Sequence, residues 1–195
     1  MTKENNIKIK SESKEMGCRT IDPTEGFEIN KNTLTLFDFE TYRSNTHNTS
    51  ADVLVIENQG DTILIKVDSI DWNKNKHYPY TTQGCFLFQQ TIEKYNKVHL
   101  SVDRVPCSKE SIEEAIDFLT PAEVKKAKEA GKKIKRQGDF FFIEMKKKSN
   151  MDAINGTRHE MSGNKIKHPE HKILDLGKRH WKAIQRKTMN HIKAD

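Results

Sequence analysis

The sequence predicts an α+β fold of antiparallel, β-rich modules with a central helical pair and a small basic sheet or partly closed barrel at the C-terminal end. Three observations carry that reading. Short apolar runs recur between turn signals, at residues 26–38, 52–56, 62–67, 98–105 and 140–145. Thr120-Pro121-Ala122-Glu123 places Thr, Pro and Glu at the N-cap, N1 and N3 positions of a helix. Charge is uneven: residues 109–195 hold 21 Lys and Arg against 13 Asp and Glu, net +8, while residues 1–108 carry net −2. Such asymmetry suits an anionic partner, nucleic acid first.

In chain order, residues 1–25 open polar and rich in Lys, Glu and Asn, and read mostly as a disordered tail. Residues 26–106 read as a β-rich module with one helix. Phe27 and Ile29, then Leu34 and Leu36, flank Asn30-Lys31-Asn32 as in a β-hairpin. Residues 41–50, rich in Thr, Asn and Ser, read as a loop. Residues 52–56 and 62–67 form a second hairpin around Asn58-Gln59-Gly60-Asp61. Thr81-Thr82 ahead of Cys85, Phe86, Phe88 and Ile92 predicts a helix over 82–95. Residues 98–105 are a strand closed by Pro106.

Residues 107–131 predict the helical pair, one opened by Ser108 and one by the capping box, stopped at Gly131. Residues 132–195 form the basic, His-rich β module. Residues 140–145 are a strand whose three consecutive Phe alternate between faces. Short strands follow at 158–161, 165–167, 172–176 and 180–188, with turns at Ser162-Gly163-Asn164 and Leu176-Gly177-Lys178.

Composition narrows the classes. Hydrophobic residues are 34% and charged residues 32% of 195, enough for one domain or two small ones. No apolar run reaches the roughly 20 residues of a membrane span, and the first residues lack the apolar core of a secretion signal. A cytoplasmic protein with no membrane partner is expected. Cys18, Cys85 and Cys107 are odd in number and widely spaced, against a disulfide framework or a Cys-based zinc site. No Walker loop, dinucleotide Gly pattern or Gly-x-Ser-x-Gly occurs, and Asp38, Glu40 and Asp52 do not make a paired-carboxylate site. The abundance of Lys, Asn and Ile suggests an AT-rich genome.

The densest chemistry lies between His159 and His180. His159, His168, His171 and His180 offer nitrogen ligands for a divalent metal such as zinc, with Glu160 and Glu170 nearby. No known zinc spacing is matched. The same His159, His168 and His171 could act without metal as general acid and base, with Arg158, Arg179, Lys178 or Lys182 stabilising a phosphate. A third reading needs only binding: Arg136, Lys146, Lys147, Lys148, Arg158, Lys165, Lys167, Arg179, Lys182 and Arg186 contact phosphates, and Trp181 stacks on an unpaired base. His47, His77 and His99 are isolated and read as surface or turn residues.

The C-terminal third also resembles a small domain that recurs in phage, prophage and plasmid proteins. The residues that carry the likeness are Arg136-Gln137-Gly138-Asp139 before a strand, Thr157-Arg158-His159, His168-Pro169-Glu170-His171, and Ala183-Ile184-Gln185-Arg186. Lys187 stands where that family ends its last strand with an acid. A companion module is faintly similar around Tyr78, Thr81-Thr82 and Cys85. The resemblance implies a mobile-element origin and draws attention to His159, His168 and His171; it supplies no mechanism. The expected function is RNA or single-strand binding by a virus- or plasmid-associated protein. The alternatives are a histidine-centred phosphodiesterase or nuclease, with or without a metal, and an accessory protein that binds a host protein.

Overall fold

A computed structural model describes residues 6–76, 79–92, 98–147, 149 and 151–187. The chain divides into two compact units, the first built from residues up to 91 and 98–115, the second from 116–187. Most strands are antiparallel, as expected. Among the described residues the sheets are all open, so the C-terminal part holds small sheets and no closed barrel.

The first unit starts where a tail was expected. Strand β1 (Lys8–Lys14) pairs in parallel with β3 (Thr33–Phe39), which pairs with β2 (Phe27–Asn30) across a Lys31-Asn32 turn. Met16 and Ile21 are buried, and Ile21 is held at both ends: its N–H donates to Ser69 Oγ at 3.0 Å and its carbonyl accepts from Thr82 Oγ1 at 2.6 Å. Asp22 and Glu25 cap the 3₁₀ turn Pro23–Gly26 reciprocally, a capping box the sequence reading passed over. Apolar residues scattered singly among charges conceal this anchoring, because no periodicity marks them.

A five-stranded sheet follows in the order β4 (Tyr42–Arg43), β5 (His47–Asn58), β6 (Thr62–Asn73), β7 (Tyr80–Ile92), β8 (Val98–Val105). The loop expected over 41–50 is thus partly strand, and a bulge lies between Val55 and Glu57. The helix expected over 82–95 is strand β7. Gly84, Phe86 and Phe88 face one side and Cys85 and Leu87 the other, all of them buried. A short apolar run buried on both faces has no period-two signature, so spacing cannot separate it from a helix. Pairing with β6 over Asp71↔Tyr80 to Thr62↔Gln89 decides the matter. Phe27 packs its edge against Phe86 and Phe88, with centroids 4.9 and 5.0 Å away.

Helix α1 (Ile112–Leu119) opens at Ser111 rather than Ser108: Ser111 Oγ accepts from the Glu114 N–H, and Glu57 Oε2 accepts from the Ile112 N–H at 2.7 Å. Helix α2 (Ala122–Glu129) starts where expected but lacks the capping box. The Thr120 hydroxyl instead donates back to the Ile116 carbonyl, and Pro121 is the N-cap with no side-chain bond.

In the second unit β10 (Phe140–Met145) lies between β9 (Ile134–Gln137) and β14 (His180–Gln185). Phe140 and Phe142 pack with Trp181, Ala183, Ile166, Leu176 and Ile154 on one face. Ile143 packs against Val124 and Ala127 of α2 on the other, with Phe141 beside it. A second sheet of three short strands, β11 (Glu160–Ser162), β12 (Lys165–Lys167) and β13 (Leu174–Asp175), contributes Ile166 to the first of these faces.

Gly84→Ala tests the strand assignment of 80–92. A Cβ there would lie 2.5 Å from Pro23 Cβ. Chemical denaturation should show a loss of about 1–3 kcal/mol from overpacking, whereas a helix interior would gain about 1 kcal/mol from the same change.

Candidate metal centre

Three turns of the second unit converge on one place. Gly138-Asp139 connects β9 to β10, His159 immediately precedes β11, and residues 168–171 link β12 to β13. Thr157 shapes the entry to His159: its hydroxyl donates to the Ile154 carbonyl and accepts from the His159 N–H. Pro169 and the Glu170 N–H, which donates to His168 Nδ1 at 3.2 Å, shape the 168–171 turn.

The outcome is a cluster of three imidazoles. Ring centroids are 4.5 Å apart for His159 and His168, 4.3 Å for His168 and His171, and 6.0 Å for His159 and His171. One nitrogen from each lies within 4.8 Å of the other two. Phe140 meets the His159 ring edge-on at 4.7 Å. His159 is only 9% exposed, and the other two are half-buried.

Burial and neighbouring imidazoles favour the neutral form of His159 and His168. Desolvation, then the neighbouring His171, push the His159 pKa down; the Asp139 carboxylate and a backbone hydrogen bond to Gln137 only partly oppose this. His168 falls to about 4, again through burial first and then His171 and His159, with Glu170 opposing and Arg158 adding to the effect. Neutral imidazole is the form that ligates a metal.

The donor set fits a divalent cation. His159 Nε2 is buried with no hydrogen-bond partner, while the Gln137 backbone supports the ring. This division of labour, one nitrogen held by the protein and one left with a bare lone pair, is that of a metal-ligating histidine. Zn–N bonds of about 2.0–2.1 Å in a tetrahedral site put nitrogens roughly 3.3 Å apart, so an ion would draw the rings together slightly. His168 must also release the Glu170 N–H, since its Nδ1 would then either ligate or carry the proton.

The Arg136–Asp139 turn, expected only to fix strand register, forms one wall of this cluster. Gly138 has φ +54°, and a Cβ on it would lie 2.7 Å from His171 Nε2. Only glycine both turns the chain there and admits the imidazole. Neither Gln137 nor Gly138 was selected from the sequence as part of a site; the available signal was a polar Gln-Gly-Asp run directly ahead of an apolar strand.

The other expected site residues are dispersed. His180 is exposed at the start of β14, opposite Met145, and lies outside the cluster. Trp181 is 5% exposed and donates Nε1–H to the Leu176 carbonyl, so it is core and not a stacking platform. Arg186 is likewise buried, and its backbone N–H donates to the Asp139 carbonyl. Arg179 pairs with Glu144 and Lys182 with Glu123, while Arg136 donates to the Gly138 carbonyl and lies over Phe141. Lys146, Lys147, Lys165 and Lys167 are exposed. Arg158 pairs with Glu170 at 2.8 Å on the surface beside His168. Lys148 and His77 fall outside the described residues. His47 is not isolated, since its Nδ1 lies 3.1 Å from Asp71 Oδ1.

Two measurements check this geometry. Gly138→Ala should cost about 1–2 kcal/mol for the left-handed backbone alone and should move the His171 ring resonances in an NMR spectrum. The depressed His168 pKa sets a pH window. Between about 6.5 and 4 the unfolded chain binds the proton and the folded chain does not, so stability is full above that window and declines as pH falls through it. His168→Gln should flatten the fall in melting temperature; an unchanged slope would contradict the burial argument.

Compared with known proteins, the chain matches no family model, no curated protein and no solved structure.

Proposed function

We propose that the second unit holds a divalent transition metal, zinc being the simplest fit to three imidazoles, and hydrolyses phosphodiester bonds in an RNA or single-stranded nucleic acid. The observation that carries the reading is the convergence of His159, His168 and His171, with the buried Nε2 of His159 left unpartnered. Three protein ligands leave a coordination position open, as catalytic sites do and closed structural sites do not. A bound ion of this kind supplies a nucleophilic water at neutral pH and polarises a phosphoryl oxygen.

The chain's own residues bind and orient. Arg158, next to His168 and paired at the surface with Glu170, can exchange that partner for a phosphate at little cost, because exposed ion pairs are weak. Lys165 and Lys167 extend the basic surface along β12, and Lys146 and Lys147 add positive charge at the end of β10. Phe140 and the buried face of His159 exclude solvent from the inner side of the cluster. Among the described residues, no helix is long and apolar enough to cross a membrane.

Elemental analysis of tag-free protein should find close to one zinc, manganese or iron per chain, lost on chelation and in His168→Ala. Metal-loaded protein should cleave a single-stranded oligonucleotide, and His168→Ala should abolish cleavage while the protein remains folded. Metal-free protein that binds the oligonucleotide with a salt dependence lessened by Lys165→Ala and Lys167→Ala would instead support binding alone.

A further inference from the structure

Gln137 ends β9 and is 6% exposed, and its polar groups engage the chain segments that carry the histidines. Its backbone hydrogen-bonds the His159 ring. Its side-chain Nε2 donates to the Lys172 carbonyl and, at 3.5 Å, to the Ile166 carbonyl. These two carbonyls flank the 168–171 turn on either side, so one carboxamide ties the entry of that turn to its exit. Both partners are acceptors, which fixes the amide orientation: only the NH₂ group can face them. The Oε1 atom is therefore left buried with no hydrogen-bond partner. A buried acceptor in that state is costly, and a donor that arrives with a ligand accounts for it.

We propose that Gln137 is the positioning residue of the metal centre. Its carboxamide fixes the span of the 168–171 turn, so that His168 and His171 stay within reach of the ion held by His159. Its buried, unpartnered Oε1 would accept a hydrogen bond from a water on a bound ion. This inference rests on the metal reading above. Gln137 lies outside the set of three ligating imidazoles; it acts through the turn they occupy and through the orientation of the water.

The test uses the full chain, with zinc and cobalt(II) as probes. Zinc affinity is measured by competition with a chromophoric chelator, and the cobalt form is titrated with pH in the visible region. Gln137→Met keeps the length and removes every polar group; Gln137→Asn keeps the amide but shortens its reach. Each should weaken zinc binding about 10–100-fold, the usual range for the outer support of a metal site. Gln137→Met should also lower the midpoint of the cobalt titration, because the bound water loses the acceptor that favours its protonated form. A residue that only stabilised the loop would leave that midpoint alone. Wild-type protein that takes up neither metal overturns both the metal reading and this one. Wild-type binding with unchanged affinity and midpoint in both variants overturns the role of Gln137 alone. Metal-free variants that fail to fold would show that Gln137 serves the fold, and would also overturn it.

Discussion

Each unit depends on one strand that is buried on both faces. In the first, β7 presents Phe86 and Phe88 to one side and Cys85 and Leu87 to the other, all of them inaccessible. In the second, β10 sends Phe140 and Phe142 into one layer and Ile143 into another. The apolar stretches 85–88 of β7 and 140–143 of β10 leave no room for a polar side chain, so chemistry is arranged beyond their ends. The candidate centre sits at one such end, where the β9–β10 turn delivers Gly138 and Asp139 beside the histidines.

The centre is a balance between desolvation and mutual support. Three imidazoles packed at 4.3–6.0 Å repel one another once charged, and burial of His159 and His168 disfavours the charged form further. The fold tolerates this because uncharged His159 and His168 rings pack closely together, with Phe140 edge-on against His159. The same neutrality leaves lone pairs available. Stability of the metal-free chain and readiness for a cation therefore follow from one property, and acid opposes both.

Much of this was legible in the residues. Alternation exposed the hairpins at 26–38 and 52–67, and the run of three Phe identified β10. The proximity of His159, His168 and His171 in sequence made them candidates. Where the reading erred, the deciding contacts were remote. Residues 82–92 became a strand because β6 lay beside them, and residues 8–25 became ordered because Ser69 and Thr82 hold Ile21. Trp181 looked available for stacking beside His180, yet alternation along β14 sends one outward and the other into the core. The part played by Gln137 and Gly138 required knowing that a turn 21 or more residues upstream of the histidines folds onto them. Two of the four motifs behind the mobile-element resemblance, Arg136–Asp139 and His168–His171, meet at that point.

The anchoring of Ile21 has a consequence for how the chain is made. Strand β1 can pair once β3 has emerged, but the segment behind it closes only on Ser69 and Thr82, about 50 and 60 residues later. At roughly 5–20 residues per second, Ile21 waits several seconds during synthesis for these partners. A sparse, lysine-rich strand suits that interval: β1 is almost wholly exposed even when paired, and charge on an edge discourages association with the wrong chain. The polar composition that resembled a tail is that of a strand exposed even when paired, suited to an interval without its sheet.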